Sequence, residues 1–224
     1  MKKLFFFLIT GLLFISCSSD SSSGTNLSNT PAAKAEFDNS NFGIYKGVFV
    51  GSTGIVIVNI NNDGTLNATL VIDGTTYNYT TTETVTLNTA ITGLTFTNGN
   101  SSFDININAS GGQISITNIN INGHPNADII VVKELSTSLV KCYQGTYTGG
   151  SSGTFNFIVT GYELHGLAFE TGDSDSTELG GEVYNNQING VFTGGTFTGT
   201  INGNNFGGTW SGNNTGNWSG SRTY

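Results

Sequence analysis

Apolar and polar residues alternate with a period of two along most of the chain beyond residue 41, which is the pattern of strands with one buried face. Phe103, Ile105 and Ile107, for example, fall on one face of a strand. No stretch of this region shows the 3.6-residue periodicity of an amphipathic helix. The pattern therefore predicts an all-β protein built from many short strands.

Residues typical of tight turns separate several of these strands. Asn62-Asp63-Gly64 and Asp73-Gly74 contain the residue types that tolerate positive φ, so they predict tight hairpins. Farther on, Ile116 and Ile119 fall on opposite faces of one strand. This change of parity across residues 117–118 predicts a β-bulge or a bend.

The second half of the chain repeats a triplet in which a large residue, a glycine and usually another large residue occupy positions i, i+2 and i+4. All three positions of a triplet point to the same side of a strand. A central glycine removes a side chain where a sheet curls strongly and leaves room for an aromatic ring. The seven triplets are Tyr143-Gly145-Tyr147, Leu164-Gly166-Ala168, Leu179-Gly181-Val183, Ile188-Gly190-Phe192, Phe197-Gly199-Ile201, Phe206-Gly208-Trp210 and Trp218-Gly220-Arg222.

Together with a glycine-free strand at residues 154–160, the triplets give eight strands, the number at which inward side chains fill a closed barrel. We expect a C-terminal antiparallel meander barrel over residues 142–224, with an open meander or a sandwich as the alternatives. Tyr45-Gly47-Phe49 repeats the first triplet at an offset of 98 residues. This repeat predicts a second, N-terminal β unit over residues 42–135, either a β-sandwich or barrel-like.

The N-terminus has the layout of an export signal. Lys2 and Lys3 precede an apolar run at residues 4–15, which is shorter than the roughly 20 residues that a membrane-spanning helix needs. The run ends at Phe14-Ile15-Ser16-Cys17. These features predict a signal peptide over residues 1–16.

The segment that ends at Cys17 resembles the lipobox of bacterial lipoproteins, in which a small residue precedes a cysteine that is acylated before cleavage. The resemblance implies that Cys17 carries lipid such as palmitate, and that the membrane is a partner through this anchor. Several acyl chains on one residue hold a protein stably at a membrane. The alternative is an ordinary signal peptide with an incidental cysteine.

Residues 17–41 follow as a stretch rich in Ser, Asn, Thr and Ala. Such a composition buries too little apolar surface to offset the entropy of ordering, so we expect a disordered tether. Cys17-Ser18-Ser19-Asp20 resembles the start of Bacteroidota lipoproteins, in which acidic residues after the cysteine favour export to the cell surface. The expected location is the outer membrane, with exposure at the surface as a further expectation.

The charge balance narrows the range of partners. The formal charge is −8 and Lys and Arg number 7, whereas phosphate binding needs clustered basic residues. Nucleic acid is therefore excluded as a partner. No motif for a nucleotide or another cofactor occurs, so no cofactor is expected.

The metal-binding potential is concentrated in one acidic loop. Asp173, Asp175 and Glu178 offer oxygens to a hard cation, but their spacing lacks the glycine and terminal glutamate of an EF-hand loop. A solvated loop is the favoured interpretation, and no metal site is expected. His124 falls in a predicted turn, and His165 falls on the outer face of its strand.

Catalytic residues are equally scarce. A retaining glycosidase needs two carboxyl groups about 5–5.5 Å apart. Glu170 and Glu182 are the pair that neighbouring strands bring together in this interpretation. Cys142 starts a strand without a histidine nearby, which favours a buried structural thiol over a nucleophile. We expect no catalytic residues and no enzyme activity.

Residues 178–183 and 188–192 resemble part of the barrel of transferrin-binding-protein-like surface lipoproteins, which implies a filled barrel. The leading hypothesis is a non-catalytic surface lipoprotein whose β scaffold binds a glycan or a protein, with the loop at residues 171–177 as the first contact. The alternative is a lipocalin-like or avidin-like carrier of a small ligand, and an enzyme acting on glycans is third. Five aromatic residues would crowd the lumen and favour the first: Tyr147, Phe192, Phe197, Trp210 and Trp218.

Overall fold

A computed structural model describes residues 27–224, and Cys17 and the predicted signal peptide lie outside this part. Two eight-stranded antiparallel sheets make up the fold, and β residues account for 63% of the part that the structure describes. The all-β prediction is thus confirmed. In the part described, no helix is long and apolar enough to cross a membrane.

The N-terminal sheet begins one residue after Phe42 and ends at Lys133. Its strands are β1 (Gly43–Val50), β2 (Gly54–Ile60), β3 (Leu66–Ile72), β4 (Thr75–Thr80), β5 (Ile91–Asn98), β6 (Ser101–Ile107), β7 (Ser115–Asn120) and β8 (Asp128–Lys133).

This sheet runs as a meander from β1 to β7, and β8 then returns to pair with β1. The edge strands β7 and β8 approach each other without a ladder, so the unit is a nearly closed barrel around an apolar core. Asp73 and Gly74 both have positive φ in a two-residue hairpin, as predicted. The predicted bulge is also confirmed, because the β6–β7 register shifts there and Asn118 has a φ of 51°.

The C-terminal sheet occupies the rest of the chain. Its strands are β9 (Val140–Gly149), β10 (Gly153–Thr160), β11 (Glu163–Glu170), β12 (Ser176–Tyr184), β13 (Gln187–Phe192), β14 (Gly195–Asn202), β15 (Asn205–Ser211) and β16 (Thr215–Arg222).

These eight strands form a closed meander barrel, because β16 pairs with β9 along seven residue pairs. The predicted barrel is confirmed. Large residues of the triplets face the interior, where they pack with Phe155, Phe157 and Val159 of the glycine-free strand β10. The barrel therefore owes its shape to the alternation of large residues and glycine that the sequence displays.

The repeated triplet has the same structural role in both units. Gly47 lies on β1 where it crosses β8, and Gly145 lies on β9 where it crosses β16. A Cβ atom at either glycine would overlap a carbonyl oxygen of the last strand of its unit, Ile130 in one case and Ser219 in the other. Each unit thus uses glycine where its first and last strands approach most closely.

The two units pack against each other through the outer faces of β1, β9 and β10. Val48, Cys142 and Ile158 lie in the shared apolar cluster and are at most 1% exposed. The Cys142 Sγ lies 3.4 Å from the Gly47 carbonyl oxygen, and burial raises the pKa of the thiol to about 12. Cys142 is therefore the buried structural thiol that the sequence predicted.

Residues 27–42, here called the strap, run along both units. The strap contains a 3-10 helix, Ala35–Phe37, and it is held by side chains from distant parts of the chain. The Ala32 N–H donates to Glu134 Oε1 at 2.7 Å, and Lys133 Nζ donates to the Phe37 carbonyl at 2.6 Å. The expectation that disorder extends to Asn41 is wrong for residues 27–41, because side chains from other parts of the chain bind backbone groups of the strap.

Candidate functional site

The acidic residues considered for a metal site lie on the β11–β12 hairpin. Asp173, Asp175 and Glu178 are all exposed to solvent. Within residues 27–224, no three His, Cys, Asp or Glu side chains come close enough to hold a metal ion. The structure therefore does not assemble the three acidic residues into a cation site.

The two carboxylates considered for a glycosidase are also separated. Glu182 pairs with Glu163 at one end of the β11–β12 ladder, whereas Glu170 lies at the other end of β11. The expectation that Glu170 and Glu182 meet is wrong, since the antiparallel register places nearly a whole strand between them. His165 is exposed as predicted, and its Nε2 lies 3.5 Å from Glu163.

The barrel has one filled end and one open end. The filled end is where Arg222 of β16 meets Tyr143 of β9. Midway along the lumen, the rings of Phe155, Phe157 and Trp218 pack with centroids 5.6–6.4 Å apart. Trp218 Nε1 donates to the carbonyl oxygens of Thr198 and Thr209, at 3.0 and 3.1 Å. This aromatic layer forms a floor that closes the barrel from below.

Above the floor, the barrel opens into a cavity of about 210 Å³, here called the cup. The cup has walls of aromatic and aliphatic side chains and a rim of polar ones. Its lining residues are Tyr147, Ser151, Phe155, Phe157, Ala168, Glu170, Thr177, Leu179, Phe192, Thr193, Phe197, Trp210 and Trp218. The expectation that aromatic residues crowd the whole lumen is therefore wrong at this end.

Three aromatic residues at the rim, Tyr147, Phe192 and Trp210, leave the centre of the cup free because the ring of each lies against a glycine of a neighbouring strand. A Cβ atom at Gly153 would lie 2.8 Å from the Tyr147 hydroxyl oxygen, and one at Gly216 would overlap the Trp210 indole. Trp210 Nε1 also donates to the Thr148 carbonyl at 3.1 Å. Glycines thus allow the large rings to pack flat against the wall of the barrel.

Electrostatically, the rim is acidic. Glu170 lines the cup, and Asp173 follows it on the same hairpin. Burial, followed by the charges of Glu170 and Asp173, raises the pKa of Tyr147 to about 12. The Tyr147 hydroxyl is a neutral group that can donate or accept a hydrogen bond at the rim of the cup.

A second cavity of about 330 Å³ lies at an end of the N-terminal sheet. Its lining is polar and apolar in about equal parts and includes Tyr77, Asn98, Asn122 and His124. The His124 ring packs edge-on against Phe49 with centroids 5.4 Å apart, which places this histidine in a structural contact. The N-terminal cavity lacks the aromatic enclosure of the cup.

Comparison with known proteins gives no match to any protein-family model, curated protein or solved structure. The resemblances that the sequence suggested therefore remain predictions, and the case for function depends on the geometry of this chain.

The cup itself was not predicted, although the sequence contains a signal for it. In a meander, successive strands run in opposite directions. Triplets on strands that run towards the open end therefore place their last residue there, and triplets on strands that run away from it place their first residue there. At the open end, these residues include Tyr147, Ala168, Phe192 and Trp210. Sorting the triplets by strand direction would have identified the lining.

Proposed function

We propose that this chain is a lipid-anchored outer-membrane binding protein without catalytic activity, and that the cup of its C-terminal barrel is the ligand site. The cup is the observation that carries the proposal. Ligand sites are typically concave, mostly apolar and furnished with a few polar groups, and the cup has all three features. This proposal takes up the small-ligand carrier that the sequence left as its alternative.

The size of the cup sets the scale of the ligand. A volume of 210 Å³ corresponds to about seven water molecules at roughly 30 Å³ each. A molecule built around a single ring fits this space, with its apolar body on the floor formed by Phe155, Phe157 and Trp218. Its polar groups would then meet the rim at Ser151 and Glu170.

The position of the strap is compatible with an anchor upstream. Arg222, at the filled end of the barrel, donates from Nη1 to Asn29 Oδ1 at 3.3 Å and from Nη2 to the Ser28 carbonyl. The described chain therefore enters the body at the end opposite the cup. A membrane attachment through Cys17 would leave the mouth of the cup unobstructed.

The chain has two tryptophans, and both line the cup, so intrinsic fluorescence reports directly on the ligand site. We expect cyclohexanol, a neutral single-ring probe, to change the emission saturably. Ala168→Phe should abolish this change by filling the cup, while the melting temperature stays unchanged or rises slightly.

Val191→Phe is the matched control, because Val191 lies on the outer face of β13 and is 58% exposed. This variant should bind cyclohexanol as the wild type does. Identical titrations of wild type and Ala168→Phe would overturn the proposed ligand site.

The anchor is tested separately from the cup. Cys17→Ser should abolish incorporation of labelled palmitate and release the protein from the membrane fraction, because it removes the acylated sulfur. A Cys17→Ser variant that stays fully membrane-bound, or a wild-type chain that takes up no label, would refute lipid anchoring.

A further inference from the structure

We propose that the cup binds an organic cation, with an ammonium group at the rim beside Glu170 and an apolar ring on the floor. This inference rests on the proposed function of the cup and adds the chemical class of its ligand. The charges around the cup, its aromatic walls and its depth all favour such a ligand.

The charges around the cup favour a positive ligand. Residues 27–224 contain five Lys and Arg, and none of them lines the cup. They lie in the strap, at the junction of the two units or towards the filled end of the barrel: Lys34, Lys46, Lys133, Lys141 and Arg222. Glu170 is the only charged side chain in the lining.

The walls provide a second attraction for a cation. Tyr147 and Phe192 flank Trp210, with ring centroids 6.1 and 6.4 Å from that of Trp210 and interplanar angles of 86° and 70°. A cation within about 6 Å of an aromatic face is attracted by the ring's quadrupole, most strongly by tryptophan. These three rings surround the space above the floor, so an ammonium group at the rim reaches several of them at once.

The depth of the cup separates the two parts of such a ligand. Polar lining groups occur at the rim, in Ser151, Glu170, Thr177 and Thr193, whereas the floor contains only apolar and aromatic side chains. A carboxylate at the rim would face Glu170 without a basic partner, which disfavours an anion. A neutral alcohol can hydrogen-bond to the rim, but it gains neither the charge attraction of Glu170 nor a cation–π contact.

Three probes that share one ring test this inference: cyclohexylammonium, cyclohexanol and cyclohexanecarboxylate. Tryptophan fluorescence of the full chain at neutral pH and low salt gives the dissociation constant of each. We expect the ammonium to bind roughly fivefold to thirtyfold more tightly than the alcohol, and the carboxylate to bind most weakly. Added salt should weaken binding of the ammonium and leave the alcohol unaffected.

Glu170→Gln removes the rim charge with little change in shape, and Glu163→Gln is its matched control at the other end of β11. Glu170→Gln should weaken ammonium binding about threefold and leave binding of the alcohol unchanged, whereas Glu163→Gln should change the binding of neither probe.

Equal effects of the two variants on ammonium binding would overturn the role of Glu170. If the alcohol or the carboxylate binds as tightly as the ammonium, the cation inference fails while the proposed function stands. If none of the three probes binds, the proposed function fails with it.

Discussion

Gly208 illustrates at the scale of a single residue why the C-terminal barrel needs its glycines. The residue lies on β15 opposite Gly199 of β14, and a Cβ atom there would overlap the Thr198 carbonyl oxygen. The constraint comes from the close approach of two strands and not from the backbone dihedral, because Gly208 is not among the glycines with positive φ. The same reasoning applies to Gly145 and Gly47.

Gly208→Val should therefore destabilise the chain by about 1–3 kcal/mol or more, since the backbone of β14 must move to accommodate the side chain. Thr209→Val, next to it on the exposed face, is the control and should change stability by less than about 0.5 kcal/mol. Urea unfolding measures both variants. Equal midpoints for the two variants would refute the inward assignment of Gly208.

The sequence was most informative at this scale. The period of two predicts which residues of the barrel face inward. The structure confirms the inward orientation of Tyr143, Phe197 and Trp218. How far each inward ring fills the lumen depends on where it lies along the barrel axis and on the glycines beside it. Those relations depend on register between strands, which the local pattern does not specify.

At the scale of elements, the strap departs most from expectation. Its composition predicts disorder, yet Asn41 is fully buried and its Nδ2 donates to the Thr86 carbonyl at 2.8 Å. The bonds that order the strap come from residues as distant in sequence as Arg222. Composition measures only how much apolar surface a segment brings, so it could not reveal these polar contacts.

The strap also makes stability sensitive to acid. Asp38 accepts hydrogen bonds from the Ser136 backbone N–H at 2.8 Å and the Ser136 hydroxyl at 2.7 Å, and these bonds hold the pKa of Asp38 below its usual 3.8. Because the folded pKa is the lower one, this stabilisation is present above about pH 4 and is lost as the pH falls through the folded pKa.

Asp38→Asn should accordingly reduce the loss of stability between about pH 6 and pH 3, as measured by thermal melting. Ser136→Ala should act in the same direction but less strongly, because the backbone N–H of residue 136 still donates. If the wild type and both variants lose the same amount of stability between these pH values, Asp38 does not contribute to the acid sensitivity.

At the scale of the whole molecule, a buried ion pair lies at the junction of the two units. Lys46 Nζ of β1 lies 2.7 and 2.6 Å from the two carboxylate oxygens of Glu134, and both side chains are at most 1% exposed. Glu134 Oε2 also accepts from the Val140 N–H, at the start of the C-terminal barrel, at 3.0 Å. One carboxylate thus connects the N-terminal sheet, the strap and the barrel.

Lys46→Met should destabilise the whole chain by about 3–5 kcal/mol, because it leaves the Glu134 carboxylate buried without its counter-charge. Lys46→Met/Glu134→Gln removes both charges and keeps an acceptor for the backbone N–H groups, so it should recover part of the loss. A double variant less stable than Lys46→Met in urea unfolding would contradict this account of the junction.

The number of units and the closure of the barrel could be predicted from sequence, because both follow from strand count and turn spacing. The junction could not, since Lys46, Glu134 and Val140 come together only through the packing of two finished sheets. The cup required the same three-dimensional information. The aromatic content of the barrel predicts a filled interior. The interior is nevertheless open at one end, where the small side chain of Ala168 contributes little volume.

The central claim is that the open end of the barrel binds a small ligand, and nuclear magnetic resonance tests it most directly. Two tryptophans give two indole N–H signals in a ¹⁵N-labelled chain, and both indoles line the cup. On titration with cyclohexylammonium, we expect saturable shifts of both indole signals and of backbone amides near Ala168 and Phe192, with the N-terminal sheet unaffected. Saturable shifts centred on the N-terminal sheet, or unchanged indole signals at saturating probe, would contradict the claim.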